Sequence, residues 1–157
     1  MRVMKILLFD LSRTLLFPVD YNYKGELNEL HREVLQKSNY NFLTNFRLDE
    51  SMMSYLDSIK DKYGLYIFTS GSIQNAPEIK SRLNKTFNKI YSSIDFGLGK
   101  QDPKSYKYVA NDIGVKPEEI LFIDDLKDNI EAAKKAGLKT TQYKTRSQVI
   151  ERISKFK

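Results

Sequence analysis

The sequence contains no cysteine. Disulfides, a thiolate nucleophile and cysteine-ligated zinc are therefore excluded. Histidine is nearly absent as well. The single one, His31, lies in a helix-like stretch with no partner for a metal site or a triad, and it is expected at the surface. No apolar run approaches the ~20 residues that cross a bilayer. The N-terminal run is one strand long and lacks a small-residue cleavage site, so neither a signal peptide nor a membrane partner is expected, and a cytoplasmic location is. Internal repeats, low-complexity segments, zinc-finger spacing and a recognition-helix motif are also missing. The net charge is +6, from 26 Lys and Arg against 20 Asp and Glu. These lysines are scattered over helix-like faces and read as solvated surface, so no specific nucleic-acid partner is expected.

What is present is enough for one ordinary domain with a real core: 157 residues, 41% hydrophobic and 29% charged. Strand-like runs alternate with helix-like segments, the pattern of an α/β fold with a three-layer, Rossmann-like parallel sheet and helices on both faces. Strands are predicted over residues 3–9, 65–68, 89–93, 120–123 and 139–143. Helices are predicted over 49–63, with Met52, Leu56, Ile59 and Tyr63 on one face, over 72–84, and from Asp102 to a terminal Gly114. Two more follow, from Asp125 to Gly137 and over 145–156. Asp102 followed by Pro103 is a strong helix start. Residues 18–48 break the alternation and exceed the about four to six residues of a usual connection. They read as a small helical cap insertion, with a helix over 26–37 and an aromatic stretch over 40–46, in a core made of 1–17 and 49–157. Its aromatics are expected to pack the insertion onto the core.

Polar residues interrupt the apolar runs at telling places. Asp10 follows Ile6, Leu7 and Leu8 by two positions, with Ser12, Arg13 and Thr14 behind it. Thr69, Ser70 and Gly71 follow Ile67 and Phe68. Lys100 stands before Gln101, Asp102 and Pro103. Asp124 and Asp125 follow Ile123. Three of these four stretches sit at the C-terminal tips of strand-like runs, where an open α/β sheet builds its ligand crevice. Singly each has a plainer explanation, as a helix cap, a turn former or a surface lysine. Together they offer a carboxylate nucleophile, a hydroxyl, a lysine and an acidic metal site on one rim, the residue types that phosphoryl transfer uses.

In this order, the motifs resemble those of the haloacid dehalogenase (HAD) superfamily, which is mostly phosphatases. Asp10 and Thr14 match its Asp-x-Asp-x-Thr signature, Thr69 its Thr or Ser after a strand, and Lys100 its lysine motif, with Gln101 in place of the usual proline. Asp124 and Asp125, followed by Asn129, Ile130 and Ala133 to Gly137, match the fourth. The resemblance implies a HAD-like core with Asp10 as nucleophile. Thr69, Lys100 and the backbone of Ser70 and Gly71 would bind phosphate. Mg2+ would be held by Asp10, Asp125, the main chain of Ser12, and Asp124 in support. The response-regulator receiver uses similar residues, but there the acidic pair precedes the phosphoacceptor.

Ser12 departs from this pattern. Family phosphatases carry there an aspartate that protonates the leaving group and then activates water. Such general acid–base catalysis is worth about 10²- to 10⁴-fold, and a hydroxyl does not replace it near neutral pH. The expected activity is thus a slow or specialised Mg2+-dependent phosphohydrolase or phosphotransferase. Its substrate would be a phosphorylated small molecule or phosphoprotein. The alternative is an impaired member that binds phosphorylated ligands or a partner protein. Arg13, where small residues are usual, would contact a substrate anion or pair with an acid of the insertion.

Overall fold

The computed structural model describes residues 4–157; Val3, expected to open the first strand, lies outside the described residues. The chain begins with β1 (Lys5–Phe9) and β2 (Leu16–Pro18), followed by α1 (Leu27–Leu35), α2 (Phe42–Asn45) and β3 (Phe46–Leu48). Next come α3 (Glu50–Ile59), β4 (Tyr63–Thr69), α4 (Pro77–Thr86), β5 (Lys89–Ser92) and α5 (Ser93–Phe96). It closes with α6 (Pro103–Ile113), β6 (Ile120–Asp124), α7 (Lys127–Lys135), β7 (Lys139–Gln142) and α8 (Arg146–Ser154).

β1 is apolar at nearly every position because both of its faces are covered. Leu7 and Phe9 join Leu65, Ile67, Leu121 and Ile123 in one apolar cluster with Met52, Leu56, Leu83, Val149 and Ile153, from α3, α4 and α8. Ile6 and Leu8 point the opposite way, and with Phe68, Ile120 and Phe122 they meet Tyr106, Val109, Ile130 and Ala133 from α6 and α7. The two-residue period of a strand thus divides the core into two layers around one sheet. Burying each such Leu or Phe is worth about 1.5–3 kcal/mol.

The five strands run parallel in the order β5-β4-β1-β6-β7. The chain winds outward from β1 through β4 to β5, then reverses through β6 to β7. That reversal beside β1 is the switch point at which doubly wound sheets hold their ligands.

Local chemistry sets the helix ends. The Asp49 carboxylate accepts from Met52 N at 3.1 Å to start α3, and Asp102 accepts from Lys104 N at 2.9 Å to start α6. α6 stops at Gly114, whose φ of +86° suits a residue without Cβ.

Three expectations are corrected. The helix over 49–63 ends at Ile59, and Tyr63 instead opens β4, paired in register with Lys5. The helix over 72–84 is split into a 3₁₀ turn, Ile73–Asn75, and α4, because Ala76 is extended (ψ 126°) before Pro77. His31 is half-buried rather than on the surface, its ring 5.8–6.3 Å from those of Tyr40, Phe42 and Phe46. Burial holds its pKa below the ordinary value, against the raising effect of Glu78.

The two ends of the stretch over 18–48 are held together. β2 and β3 form an antiparallel pair, Leu16 opposite Leu48 and Pro18 opposite Phe46, which brings its two ends together. These short strands were not legible in the sequence. Leu27, Val34, Phe42 and Phe46 lie in the same apolar cluster as Leu7 and Phe9, with Tyr23 and Tyr40 packed against it in part, whereas Tyr21 is exposed.

Candidate active site

The site begins where β1 ends. Asp10 follows Phe9, and its main-chain N–H donates to the Ile123 carbonyl at 2.8 Å, which ties the tip of β1 to that of β6. The chain then turns tightly: the Leu15 and Leu16 N–H groups both donate to the Leu11 carbonyl at 2.9 Å. Within this turn Arg13 adopts φ +60°, a conformation that non-glycine residues avoid. Its guanidinium donates to the carbonyl oxygens of Tyr23 (3.0 Å) and Gly25 (2.7 Å). Arg13 therefore holds the backbone of the insertion, not one of its acids.

Beneath the rim lies a buried ion cluster. Lys100, 5% exposed, places its Nζ 2.6 Å from Asp10 Oδ1 and 2.7 Å from Asp124 Oδ2. The rings of Phe68 and Phe122 each lie 5.5 Å from that ammonium. The Lys100 carbonyl is fixed by the buried hydroxyl of Tyr106 at 2.6 Å. Asp124 is further held by Leu126 N (2.8 Å) and Asn129 Nδ2 (3.0 Å), and Thr14 Oγ1 donates to Asp10 at 3.4 Å. Asp10, Asp124 and Asp125 each present a carboxylate oxygen within 4.8 Å of the others, the one such cluster among the described residues.

Three carboxylates against one ammonium leave excess negative charge in a largely buried place. Burial raises the pKa of Asp10, Lys100 lowers it and Asp124 raises it again; the balance is about 6. Asp125 is pushed to about 8 by burial and then by Asp10 and Asp124. For Lys100 burial opposes the charge, yet Asp10 and Asp124 outweigh it and hold its pKa above the ordinary value. Paired carboxylates with a surplus of charge are the donor set of a hard divalent cation.

Above this cluster opens a crevice of about 280 Å³, lined by Asp10, Ser12, Arg13, Thr69, Ser70 and Asp125 together with residues 24–28 of the insertion. A larger cavity of about 690 Å³ lies at the opposite edge of the sheet, against Lys5 and Tyr63, which open β1 and β4.

The fold thus gathers Asp10, Ser12, Thr69, Ser70 and Asp125 at one crevice, with Lys100 and Asp124 directly below. Thr69 is 1% exposed at the end of β4, and Ser12 is half-buried. Gly71 is set apart. It lines a neighbouring cavity, and its carbonyl accepts from Gln74 Nε2 (2.7 Å) and Ser92 Oγ (2.8 Å). The N–H groups after Thr69 open a 3₁₀ turn, not the α-helix expected there. Sequence reading does not single out Asn28, which reaches this turn from α1, or the hydroxyl of Tyr106, which fixes the Lys100 carbonyl. Neither carries a local signal, because each acts through a contact with another element.

Among the described residues no helix is long and apolar enough to cross a membrane. Comparison with known proteins gives a consistent picture. A family model of haloacid dehalogenase-like hydrolases matches residues 18–137, a span that includes Thr69, Lys100, Asp124 and Asp125 and starts after Asp10. The enolase-phosphatase E1 of Leptospira interrogans is 31% identical over 135 residues, which cover 83% of this chain and 58% of that protein. The enolase-phosphatase E1 of Thioalkalivibrio sulfidiphilus is 51% identical over 82 residues, 49% of this chain and 36% of that protein. The chain thus spans 36% to 58% of the length of these two relatives. Among solved structures, a HAD family enzyme of Bacteroides thetaiotaomicron, in complex with magnesium and inorganic phosphate, superposes with a TM-score of 0.70. It is 19% identical, with 94% of this chain and 99% of that one covered.

Proposed function

The chain belongs to the haloacid dehalogenase-like hydrolases, and from that premise we propose that it is a phosphatase or phosphotransferase working through Asp10. The observation that carries this reading is the Lys100 ammonium seated between Asp10 and Asp124, at 2.6 and 2.7 Å, under the crevice that Thr69 and Asp125 line. A carboxylate held ionised beside a cation, open on one side to a cavity, is an activated nucleophile.

In the proposed reaction an Asp10 carboxylate oxygen attacks phosphorus as the bond to the leaving oxygen breaks, giving an aspartyl-phosphate. Lys100 and the Thr69 hydroxyl face the charge that spreads over the phosphoryl oxygens. Water then attacks the aspartyl-phosphate, releasing phosphate and restoring the carboxylate. Residues 18–48 act as a small cap, pinned by Arg13, that walls the crevice toward a small phosphorylated molecule.

The cluster of three carboxylates within 4.8 Å of one another fits Mg2+. Asp10, Asp125 and the main chain of Ser12 would hold it, with Asp124 in support. When bound, that ion neutralises charge between the nucleophile and an anionic substrate. Ser12, half-buried on the crevice wall, supplies no proton to the leaving oxygen. Substrates whose leaving groups depart as stable anions, acyl and aryl phosphates, are therefore favoured. The same residue is the observation behind the second reading, a protein that binds a phosphorylated ligand or partner and turns it over poorly.

The test is magnesium-dependent phosphate release from an aryl and an acyl phosphate, with Asp10→Asn as control. Release that disappears in the control and with chelator supports the hydrolase. Release equal to the control from both substrates refutes it and leaves the binding reading.

A further inference from the structure

We propose that Asn28 is a substrate-binding residue, its side-chain amide donating a hydrogen bond to a phosphoryl oxygen of the molecule held in the crevice. This rests on the reading of the crevice as a phosphoryl site.

Asn28 is the second residue of α1, in the insertion. Its Oδ1 accepts from the backbone N–H groups of Ser72 (3.2 Å) and Ile73 (3.1 Å), in the turn that follows Thr69. Two main-chain donors can face only an oxygen, so the orientation of the carboxamide is set by its neighbours. Nδ2 is then left as the donor end of the group, and none of the hydrogen bonds among the described residues uses it. Asn28 lines the same 280 Å³ crevice as Asp10, Thr69 and Ser70. An amide with its acceptor end fixed and its donor end free, on the wall of an anion site, is poised to bind an oxygen of that anion.

Gly71 completes the arrangement. The carboxamide lies against its Cα so closely that a Cβ there would come within 2.3–2.5 Å of Oδ1, Cγ and Nδ2. Any larger residue would displace the Asn28 carboxamide from this position. Aspartate at position 28 would accept the same two N–H bonds, but it would turn a negative group toward the anion. The position thus separates two tasks: docking α1 needs only the acceptor, whereas holding phosphate needs the donor.

The experiment uses inorganic phosphate with Mg2+ as the probe, measured by calorimetry on the whole chain, alongside thermal unfolding. Asn28→Ala loses both ends and is expected to lower Tm and weaken phosphate binding. Asn28→Asp is expected to recover the wild-type Tm, yet bind phosphate roughly ten- to a hundredfold more weakly. Wild-type affinity in Asn28→Asp overturns the proposal. So does a loss of affinity that follows the loss of Tm in both variants, since docking alone explains it. Absence of phosphate binding by the wild-type chain overturns the phosphoryl reading itself, and this inference with it.

Discussion

Replacing Lys100 by methionine isolates the electrostatic core of the site. Methionine keeps a buried apolar stem of similar length but removes the ammonium, which lies 5.5 Å from the rings of Phe68 and Phe122. What remains is Asp10 and Asp124, whose side chains are 9% and 0% exposed, facing each other without a cation. Asp124 keeps its bonds from Leu126 N and Asn129, and Asp10 keeps a long one from Thr14. Removing one partner from a buried ion cluster typically costs about 3–5 kcal/mol, because the stranded charge stays desolvated. In a domain of this size each kcal/mol moves Tm by about 2–4 °C, so a fall of roughly 6–20 °C is expected at pH 7.5 with chelator. The deficit has a pH signature. Lys100 lowers the pKa of Asp10, which stands at about 6 in its presence, so in Lys100→Met that carboxyl takes up a proton more readily still. At pH 5 it is then mostly neutral, the repulsion with Asp124 is gone, and the two Tm values draw together. Thermal unfolding by circular dichroism at both pH values, without metal, is the assay. A variant as stable as the wild type at pH 7.5, or a deficit unchanged at pH 5, refutes the account of Lys100 as the cation that keeps this cluster in place.

Three further outcomes are expected. Ser12→Asp supplies the missing acid–base carboxyl on the crevice wall and should raise steady-state phosphate release by about 10²- to 10⁴-fold; no gain in kcat would mean that the remaining site is not competent. Arg13→Ala keeps the left-handed backbone but loses two hydrogen bonds to the insertion, whereas Arg13→Gly loses the bonds and sheds about 1 kcal/mol of strain. Unfolding midpoints should therefore fall in the order wild type, Arg13→Gly, Arg13→Ala, and any other order contradicts the strained latch. The folded pKa of Asp125, about 8, lies above its ordinary value, so its protonation stabilises the metal-free fold at low pH and that gain is lost as pH rises from about 4 to 8. Asp125→Asn should accordingly be more stable than wild type at pH 8 with chelator and equal to it near pH 4. Saturating Mg2+ should stabilise only the wild type, as unfolding curves would show.

Much of the core follows from composition along the chain. β1, β4 and β6 are legible because strands covered on both faces are apolar at most positions, and the first polar residue after each apolar run marks the strand's tip. Asp10, Thr69 and Asp124 are found by that rule, and Asp125 as the neighbour of Asp124. Asp102, Pro103 and Gly114 fix α6 through local capping chemistry that needs no tertiary partner. Where the signal is short or shared, reading fails. Tyr63 fits a helical face as well as a strand, and pairing with β1 decides between them. β2 and β3 are three residues each and become strands only by meeting one another.

Other features were decided by the tertiary structure alone. No sequence pattern states that Lys100 is buried against both Asp10 and Asp124, that Arg13 grips the carbonyls of the insertion, or that Asn28 caps a turn 44 residues away. The physical reason is range. Hydrophobic period and caps act over a few residues and are written locally. Ion clusters and desolvated hydrogen bonds depend on which distant groups the folded sheet brings together, and on how completely it removes water from between them.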